Sequence, residues 1–384
     1  MDQPDSLDPI GPIDPADLPT ANHGNWRTRP FSTWAFQHVR DIVPVADIAN
    51  DPARAAPFPA EPAALDLAEF QQLTRTDALV VMHRGRVVHA FYGGGMAAHT
   101  PHILMSATKS VVGLVAGTLH GAGLLDVEAP VFDVVPELAR TAFEGATVRQ
   151  LLDMRTGVVM DAQALEAYRA ATGWDPLPPG APPSDLRHFF ETTTAVHEPH
   201  GGAFRYTSAN TDLLGLVMER AAGRPFAALA SERLWVPMGA EDPACITVDA
   251  RGAARCTGGL CATARDLARV GWLVAQGGRA ADGRAVVPAG WIDDMWNGGD
   301  ADAWNRGEFA AGFAGMRMRY RSGWYVVDDA PGMLFAMGIH GQHLFVDRHN
   351  ALVVAKLSSQ NQPIDAIATA RTLRAVAAIR RALA

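Results

Sequence analysis

The chain has 384 residues, of which 48% are hydrophobic and 19% are charged, and its formal net charge is -8. This composition is typical of a soluble globular protein, and the length allows one large domain or two ordinary ones. The acidic balance and the lack of a basic stripe argue against nucleic acids and anionic membranes as partners.

The first 60 residues are predicted to form an irregular arm that packs on the surface. The segment begins acidic and rich in proline, without the basic and apolar parts of a signal peptide. Trp26, Trp34 and Phe36 are apolar anchors for such an arm. We therefore expect residues 1–60 to lie against the rest of the chain.

Short β-rich runs occur near both ends of the chain. Runs at 78–82 and 87–92 flank a turn at Arg84 and Gly85, which is the pattern of a hairpin. The C-terminal third contains the short predicted strands GWYVV, MLFAMGI, HLFVD and ALVVAKLSS. The final stretch, 363–384, has apolar residues at helical spacing and predicts an amphipathic helix that covers the sheet.

The middle of the chain, residues 106–310, is predicted to be a mostly helical lobe. Residues 61–105 and 311–384 would then form an α/β lobe whose antiparallel sheet is built from both ends of the chain. The predicted fold class is therefore α/β in the α+β sense, with helices flanking the sheet and the helical lobe inserted. A cleft between the lobes is where a small-molecule site is expected.

Lys109 is one of only two lysines, against 31 arginines, and it stands three residues after Ser106. If Ser106 begins a helix, both side chains lie on one face within reach of each other. The residues that follow are mostly apolar, so the helix is predicted to be buried, and burial and the helix dipole both lower a lysine pKa. A neutral amine can accept the proton of a serine hydroxyl, whereas an arginine stays protonated. The pair therefore predicts a nucleophilic serine with a lysine base.

An ordinary helix N-cap is the alternative interpretation of Ser106. A capping box, however, places Glu or Gln at the third position after the cap, where this chain has Lys109. A cation in the first turn is unfavourable by about 0.3–1 kcal/mol, because it faces the positive end of the helix dipole. Chemistry therefore explains the serine–lysine pair better than capping does.

The segment PHILMSATKSVVGLVAGTL resembles the active-site segment of serine β-lactamases and penicillin-binding proteins, in their class C-like branch. Similarity extends over most of the chain, including LVVMHRGRVVHAFYGGG, LLDMRTGV, RYTSANTDLLGLVMERAAGRP and GIHGQHLFVDRHNALVVAKLSS. Within that branch the sequence is most similar to the 6-aminohexanoate-dimer (nylon-oligomer) hydrolases and related carboxylesterases. The resemblance implies a β-lactamase/transpeptidase-like fold and an acyl-enzyme on Ser106, with no cofactor and no metal.

The resemblance also implies a tyrosine that passes a proton to the leaving group. The family motif Tyr-x-Asn corresponds here to Tyr206 followed by Ser208, so its asparagine is missing. Tyr320, with Ser322 two residues later, is a rival match. Tyr206 is favoured because it directly precedes an apolar helix, as the family pattern requires, whereas Tyr320 borders a strand.

A third family motif, on an edge strand of the sheet, aligns with Ala336-Met337-Gly338. Its first residue is apolar here, so the cation that β-lactamases use to hold a substrate carboxylate is missing. This departure favours the esterase and nylon-oligomer hydrolase branch. By the same resemblance, Gly338 would let the substrate approach, and the backbone N–H groups of Ser106 and Ile339 would form the oxyanion hole.

Further substrate contacts are expected from a Pro-rich loop and from a histidine. Tyr168 and Trp174 are candidates on a loop that would act as a lid, with an aromatic residue packing its own loop as the alternative. His340 is expected to line the cleft. A zinc site at His340 and His343 is disfavoured, because an i, i+3 pair on a strand points to opposite faces and no carboxylates accompany it.

Together these features predict a serine hydrolase that cleaves amide or ester bonds of small molecules, such as 6-aminohexanoate-oligomer-like amides or short carboxylesters. A β-lactamase or D-amino-acid peptidase is the alternative activity, and a non-catalytic penicillin-recognition-like binding module is the alternative of another class. Cys245, Cys256 and Cys261 lack the spacing of a metal site or a disulfide framework, so we expect reduced thiols in a cytoplasmic protein. The oligomeric state stays open, and a homodimer is one option.

Overall fold

The β-strands form two sheets in this computed structural model, which describes residues 20–193, 198–329 and 332–384. In chain order the strands are β1 (Val45–Ile48), β2 (Thr76–His83), β3 (Arg86–Tyr92), β4 (His102–Ile103), β5 (Ala244–Thr247), β6 (Leu260–Ala262), β7 (Met318–Arg321), β8 (Trp324–Val327), β9 (Met333–Gly338), β10 (Gln342–Asp347) and β11 (Leu352–Ser358). The larger sheet has seven antiparallel strands in the order β3-β2-β11-β10-β9-β8-β7. Two of its strands, β2 and β3, precede the mostly helical middle of the chain, and the other five, β7 to β11, follow it. This arrangement confirms the predicted fold class.

The smaller sheet, in the order β1-β5-β6-β4, is a feature that the sequence did not predict. Its strands are very short and come from segments far apart in the chain, so no periodic pattern marks them. β1 lies within residues 1–60, where the sequence predicted an irregular arm, and it pairs with β5 in antiparallel register. β4 ends at Ile103, and this short strand fixes the direction in which the chain enters the segment around Ser106.

Most helices lie between the two groups of strands that build the larger sheet. They are α1 (Ser32–Ala35), α2 (Ala68–Leu73), α3 (Thr108–Gly121), α4 (Val131–Val134), α5 (Val148–Leu152), α6 (Ala162–Ala171), α7 (Leu186–Thr192), α8 (Ser208–Ala222), α9 (Phe226–Ala230), α10 (Ala264–Ala275), α11 (Ala289–Asn297), α12 (Ala301–Asn305) and α13 (Ala366–Ala382). Among the residues that the structure describes, no helix has the length and hydropathy needed to span a bilayer.

α3 is the buried centre of the helical region, and every residue from Thr108 to Leu119 is buried. Two glycines let neighbouring segments approach this helix closely. A Cβ atom at Gly113 would lie 2.0 Å from the carbonyl oxygen of Ser322, and one at Gly117 would lie 2.5 Å from the Trp291 ring. Neighbouring segments therefore pack closely against the second and third turns of α3, which follow the turn that contains Lys109.

Helices cover both faces of the larger sheet. α10 packs on one face, where Gly271 brings the helix into contact with Leu344 and Val353. On the other face, Val376 and Ile379 of α13 belong to the apolar cluster of the sheet. α10 lies within 106–310 and yet packs on the sheet, so the domain boundaries drawn from the sequence stay a prediction.

Candidate active site

Ser106 lies in a 3-10 turn, Met105–Ala107, which leads directly into α3. Met105 has a φ of 46°, an unusual backbone conformation for a residue other than glycine. The turn is held in place because the Leu104 amide donates a hydrogen bond of 2.8 Å to the carbonyl oxygen of Leu260. Ser106 is half-buried between two fully buried neighbours, so its side chain is the accessible group of this turn.

Lys109 lies in the first turn of α3 with only 2% of its surface exposed. Its Nζ is 3.1 Å from Ser106 Oγ and donates a hydrogen bond of 2.8 Å to the carbonyl oxygen of Thr257. The amine also lies over the Tyr206 ring, 4.8 Å from the ring centroid. The predicted proximity of the serine and the lysine is therefore present in the structure.

The pKa of Lys109 is lowered well below its usual value of 10.5, first by burial and then by the positive charge of Arg255. Within the described ranges, no carboxylate forms an ion pair with the amine to offset these effects. The amine therefore loses its proton more readily than an ordinary lysine does, and the lone pair of its deprotonated form would face the Ser106 hydroxyl.

Tyr206 lies two residues before Ser208, the first residue of α8, and its ring stacks on Phe309 with 5.1 Å between the centroids. Burial raises the pKa of Tyr206 to about 12, although interactions with the side chains of Ser106 and Tyr325 lower it. The phenol therefore keeps its proton at neutral pH and lies beside the same serine as Lys109. It can hold and return a proton near Ser106 Oγ.

Tyr320, the rival match, occupies a different environment. It lies in β7 with 4% of its surface exposed, and its ring packs on those of Phe204 and Tyr325. It is not among the described residues that line the cavity around Ser106. Because Tyr206 lies next to Lys109 and Tyr320 lies away from the cavity, the geometry favours Tyr206 over Tyr320 as the tyrosine that transfers a proton.

Gly338 ends β9 directly against the Ser106 segment. A Cβ atom at residue 338 would lie 2.6 Å from the carbonyl oxygen of Leu104 and 3.0 Å from the amide nitrogen of Ser106. Because the φ of Gly338 is -132°, its backbone does not require glycine. Glycine is needed at this position because a side chain would not fit. The Ser106 amide is therefore left uncovered next to the backbone that continues from Gly338 into Ile339.

A cavity of about 620 Å³ opens above Ser106. One wall contains the described apolar side chains of Val158, Val159, Met160 and Leu165, and other lining residues are Tyr206, Thr257 and Ile339. Arg27, Arg169, Asp175, Arg205, Arg255 and Glu308 contribute charges of both signs to the lining. The volume suits a small molecule, and the mixture of apolar and charged walls suits one that carries both apolar and polar groups.

Tyr168 lies on α6 and not on the predicted lid loop, which corrects the sequence-based placement. Only 3% of its surface is exposed, and its hydroxyl donates a hydrogen bond of 2.5 Å to Asp212 Oδ2. Arg255 donates a further hydrogen bond to the same hydroxyl. The ring does line the cavity, but these buried partners hold it in a fixed position.

Trp174 forms a wall of the cavity and is also held firmly. Its indole N–H donates a hydrogen bond of 2.9 Å to Thr247 Oγ1, and its ring meets that of Trp26 edge-on at 5.4 Å. Trp26 belongs to the N-terminal arm and is itself buried. This part of the arm therefore supports the cavity wall, a role that the sequence did not suggest.

His340 is not among the described residues that line the cavity around Ser106. The structure therefore places it away from the cleft, where the sequence predicted it. The residue lies in the tight turn Ile339–Gly341 with a φ of 60°, not on a strand. This turn buries the imidazole, whose Nδ1 donates a hydrogen bond of 2.7 Å to the carbonyl oxygen of Gln360. No group of three or more His, Cys, Asp or Glu residues in the described ranges is arranged to hold a metal ion.

A buried ionic network beside Lys109 was missed by the sequence analysis. Arg255 donates a hydrogen bond to Asp212, and Asp212 Oδ1 accepts one of 2.8 Å from the Thr257 amide. The network thus fixes Thr257, whose carbonyl oxygen binds Lys109. Asp212 lies six residues after Tyr206 along the chain, but no local pattern predicts its pairing with a residue 43 positions later.

Comparisons with known proteins agree over most of the chain. A family model described as Beta-lactamase matches residues 60–379. The chain is 35% identical over 370 residues to 6-aminohexanoate-dimer hydrolase of Paenarthrobacter ureafaciens, covering 91% of this chain and 92% of that protein. The structure of a Bacillus anthracis protein assigned as 6-aminohexanoate-dimer hydrolase matches with a TM-score of 0.83 and 24% identity, covering 93% of this chain and 96% of that one. EstCE1, a hydrolase with promiscuous acyltransferase activity, matches with a TM-score of 0.63 and 17% identity, covering 81% of this chain and 98% of that one. At these identities the two structures establish the fold alone.

Proposed function

This chain belongs to the beta-lactamase family and is a hydrolase of that fold, and from this premise we propose that it is a serine hydrolase that forms an acyl-enzyme on Ser106. The proposed substrates are linear amides of the 6-aminohexanoate-oligomer type or short carboxylesters. The single observation that carries the proposal is the buried amine of Lys109, whose pKa is lowered by burial and whose Nζ lies 3.1 Å from Ser106 Oγ.

In the acylation step, Lys109 Nζ takes the proton of Ser106 Oγ as the oxygen attacks the substrate carbonyl carbon. The carbonyl oxygen becomes an oxyanion, which the backbone N–H groups of Ser106 and Ile339 stabilise. The intermediate collapses when the bond from carbon to nitrogen or oxygen breaks. The leaving amine or alcohol receives the proton from Lys109 by way of Tyr206, whose phenol is protonated at neutral pH.

In the deacylation step, water attacks the ester carbonyl of the acyl-enzyme and gives up a proton to the Lys109–Tyr206 pair. The bond to Ser106 Oγ then breaks, the oxygen recovers its proton, and the carboxylic acid leaves. Each chain carries all the groups that this scheme uses, so the chemistry requires no second copy even if the protein is a homodimer. We also propose a cytoplasmic location, which the three buried free thiols support.

The residue at position 336, in β9, favours amide or ester hydrolysis over β-lactam hydrolysis. Ala336 is buried at 1% exposure and belongs to the core, so this position offers no cation to a substrate carboxylate. The similarity to 6-aminohexanoate-dimer hydrolase points in the same direction. A non-catalytic binding module is disfavoured because it would have no use for a neutral amine buried next to a serine.

A substrate panel tests the proposed function. We expect the protein to hydrolyse linear 6-aminohexanoate dimer, p-nitrophenyl butyrate or both, and to act on nitrocefin with a kcat/KM at least about 100-fold lower. A peptide ending in D-alanine tests the peptidase alternative in the same assay. Turnover of none of these, together with no fluorophosphonate adduct on Ser106 by intact mass, would instead support the binding module.

The space beside the Ser106 amide gives a second prediction. We expect Gly338→Ala to lower kcat by about 100-fold, the size of effect seen when one oxyanion donor is lost. The added methyl group would press on Leu104 O and on the Ser106 amide nitrogen, and would push the two oxyanion donors apart. Steady-state kinetics on the best substrate of the panel would measure the loss.

Gly290→Ala is the matched control for this substitution. Gly290 lies in α11, and a Cβ atom there would meet no other atom within 4 Å. This variant should keep the activity of the unmodified protein. If Gly338→Ala were equally active, the proposed oxyanion hole would have to lie elsewhere.

A further inference from the structure

The second lysine of the chain, Lys356, is as deeply buried as the first but lies outside the cavity. It is in β11 with 0% of its surface exposed. The preceding residue, Ala355, belongs to the core that also contains Leu104 and Ala107 of the Ser106 segment. Because side chains alternate along a strand, Lys356 points to the opposite face of the sheet.

From that face Lys356 binds the turn between β9 and β10, residues Ile339–Gly341. Its Nζ donates a hydrogen bond of 3.3 Å to the carbonyl oxygen of Gly341 and another to Ser358 Oγ. His343, its cross-strand neighbour, donates from Nδ1 to the same carbonyl oxygen at 3.1 Å. Two buried side chains thus converge on one backbone oxygen of this turn.

The turn needs such support because its backbone is unusual. His340 and Gly341 are consecutive residues at positive φ, 60° and 91°. Such conformations persist where the surroundings impose them. The Gln342 side chain provides a second tie, since its Nε2 donates to the carbonyl oxygens of Ile339 at 3.3 Å and Ser358 at 2.7 Å. Both ends of the turn are therefore tied to β11: Gly341 directly by Lys356, and Ile339 through the Gln342 side chain, which also binds Ser358.

We propose that Lys356 is a positioning residue, which acts through the Gly341 carbonyl to keep the Ile339 amide aimed at the oxyanion. The inference rests on the function proposed above. Ile339 lines the cavity, and the adjoining Gly338 presses against the Ser106 segment, so a shift of this turn changes the spacing of the two oxyanion donors. Lys356 itself touches neither the cavity nor the substrate.

Stability alone does not account for a lysine at this position. Burial lowers the pKa of Lys356 to about 7, and the negative charge of Asp77 only partly opposes this effect. A methionine of similar length would fill the space without burying an amine, and would avoid that desolvation cost. The advantage of the amine therefore lies in the hydrogen bonds that it donates to the Gly341 carbonyl oxygen and to Ser358 Oγ.

The test compares the unmodified protein with Lys356→Met. We expect kcat on the best panel substrate, and the rate of fluorophosphonate labelling of Ser106, to fall by about tenfold or more, because a misplaced donor weakens transition-state stabilisation. KM should stay within about twofold, since the Ile339 amide interacts more strongly with the oxyanion of the transition state than with the substrate carbonyl. A merely structural role would lower the melting temperature without this split between kcat and KM.

Val354→Ala is the matched control, because Val354 lies on the same strand and the same face and does not contact the turn. It should lower the melting temperature and leave kcat unchanged. If Lys356→Met does not fold, His343→Phe removes the other donor to Gly341 and is judged by the same criteria. A folded variant that keeps the kcat of the unmodified protein overturns the inference. If the unmodified protein neither hydrolyses the panel nor becomes labelled, the proposed function has failed instead.

Discussion

We expect Ser106→Ala to reduce kcat by at least about 10⁴-fold on every substrate, the largest effect of any single substitution. The reason is that Ser106 Oγ is the atom that becomes acylated, and the methyl group of alanine cannot form the ester. Folding should be preserved because the side chain is small and half-buried. Steady-state kinetics would measure the loss, and intact mass after fluorophosphonate treatment should show no adduct.

Ser231→Ala provides the control for the loss of a serine hydroxyl. Ser231 donates a hydrogen bond of 2.8 Å to the carbonyl oxygen of Ala49, and it is not one of the described residues that line the cavity. This variant should keep both turnover and the adduct on Ser106. Substantial activity in Ser106→Ala would show that another nucleophile carries the reaction.

The second largest effect is expected from Lys109→Arg and Lys109→Met, each of which should lower kcat by about 10³-fold or more. Arginine keeps its proton at any relevant pH, and methionine has no lone pair basic enough to take one. Methionine is the cleaner test because it fits a site with 2% exposure, whereas arginine is larger. If either variant kept full activity, the assignment of Lys109 as the base would be wrong.

The pH dependence of activity offers a separate check on Lys109. Protonation of the amine removes the base, so kcat/KM of the unmodified protein should fall on the acidic side, through a pKa below the usual 10.5 of lysine. Tyr206 should contribute no basic limb until the pH approaches its pKa of about 12. The residual activity of Lys109→Met should lack the acidic limb.

The stability of Lys109→Met should also depend on pH relative to the unmodified protein. Between the lowered pKa of buried Lys109 and the usual 10.5, the unfolded state binds more protons than the folded state. The free energy of unfolding attributable to Lys109 therefore rises with pH across this window. Denaturant titrations should show the methionine variant gaining stability, relative to the unmodified protein, as the pH falls.

The parts of the site that could be predicted are those written in short stretches of sequence. Ser106 and Lys109 are one helical turn apart, so their contact follows from local geometry once a helix begins there. Tyr206 was favoured over Tyr320 by the resemblance, because the family pattern requires an apolar helix directly after the tyrosine and the sequence around Tyr206 provides one. Tyr168 and His340 were misplaced because a helix and a tight turn replaced the loop and the strand that the pattern suggested.

The sequence by itself determined the fold class and the chemical identity of the serine–lysine pair, because element order and i, i+3 spacing are properties of the local chain. Only the tertiary structure decided what surrounds the pair. Thr257 and Arg255 approach Lys109 from about 150 residues later in the chain, and Gly338 approaches the Ser106 amide from 232 residues later. Such contacts depend on the packing of all the elements between them, which no local pattern encodes. The lowered pKa of Lys109 arises in the same way, since burial and Arg255 both act on it through the tertiary structure.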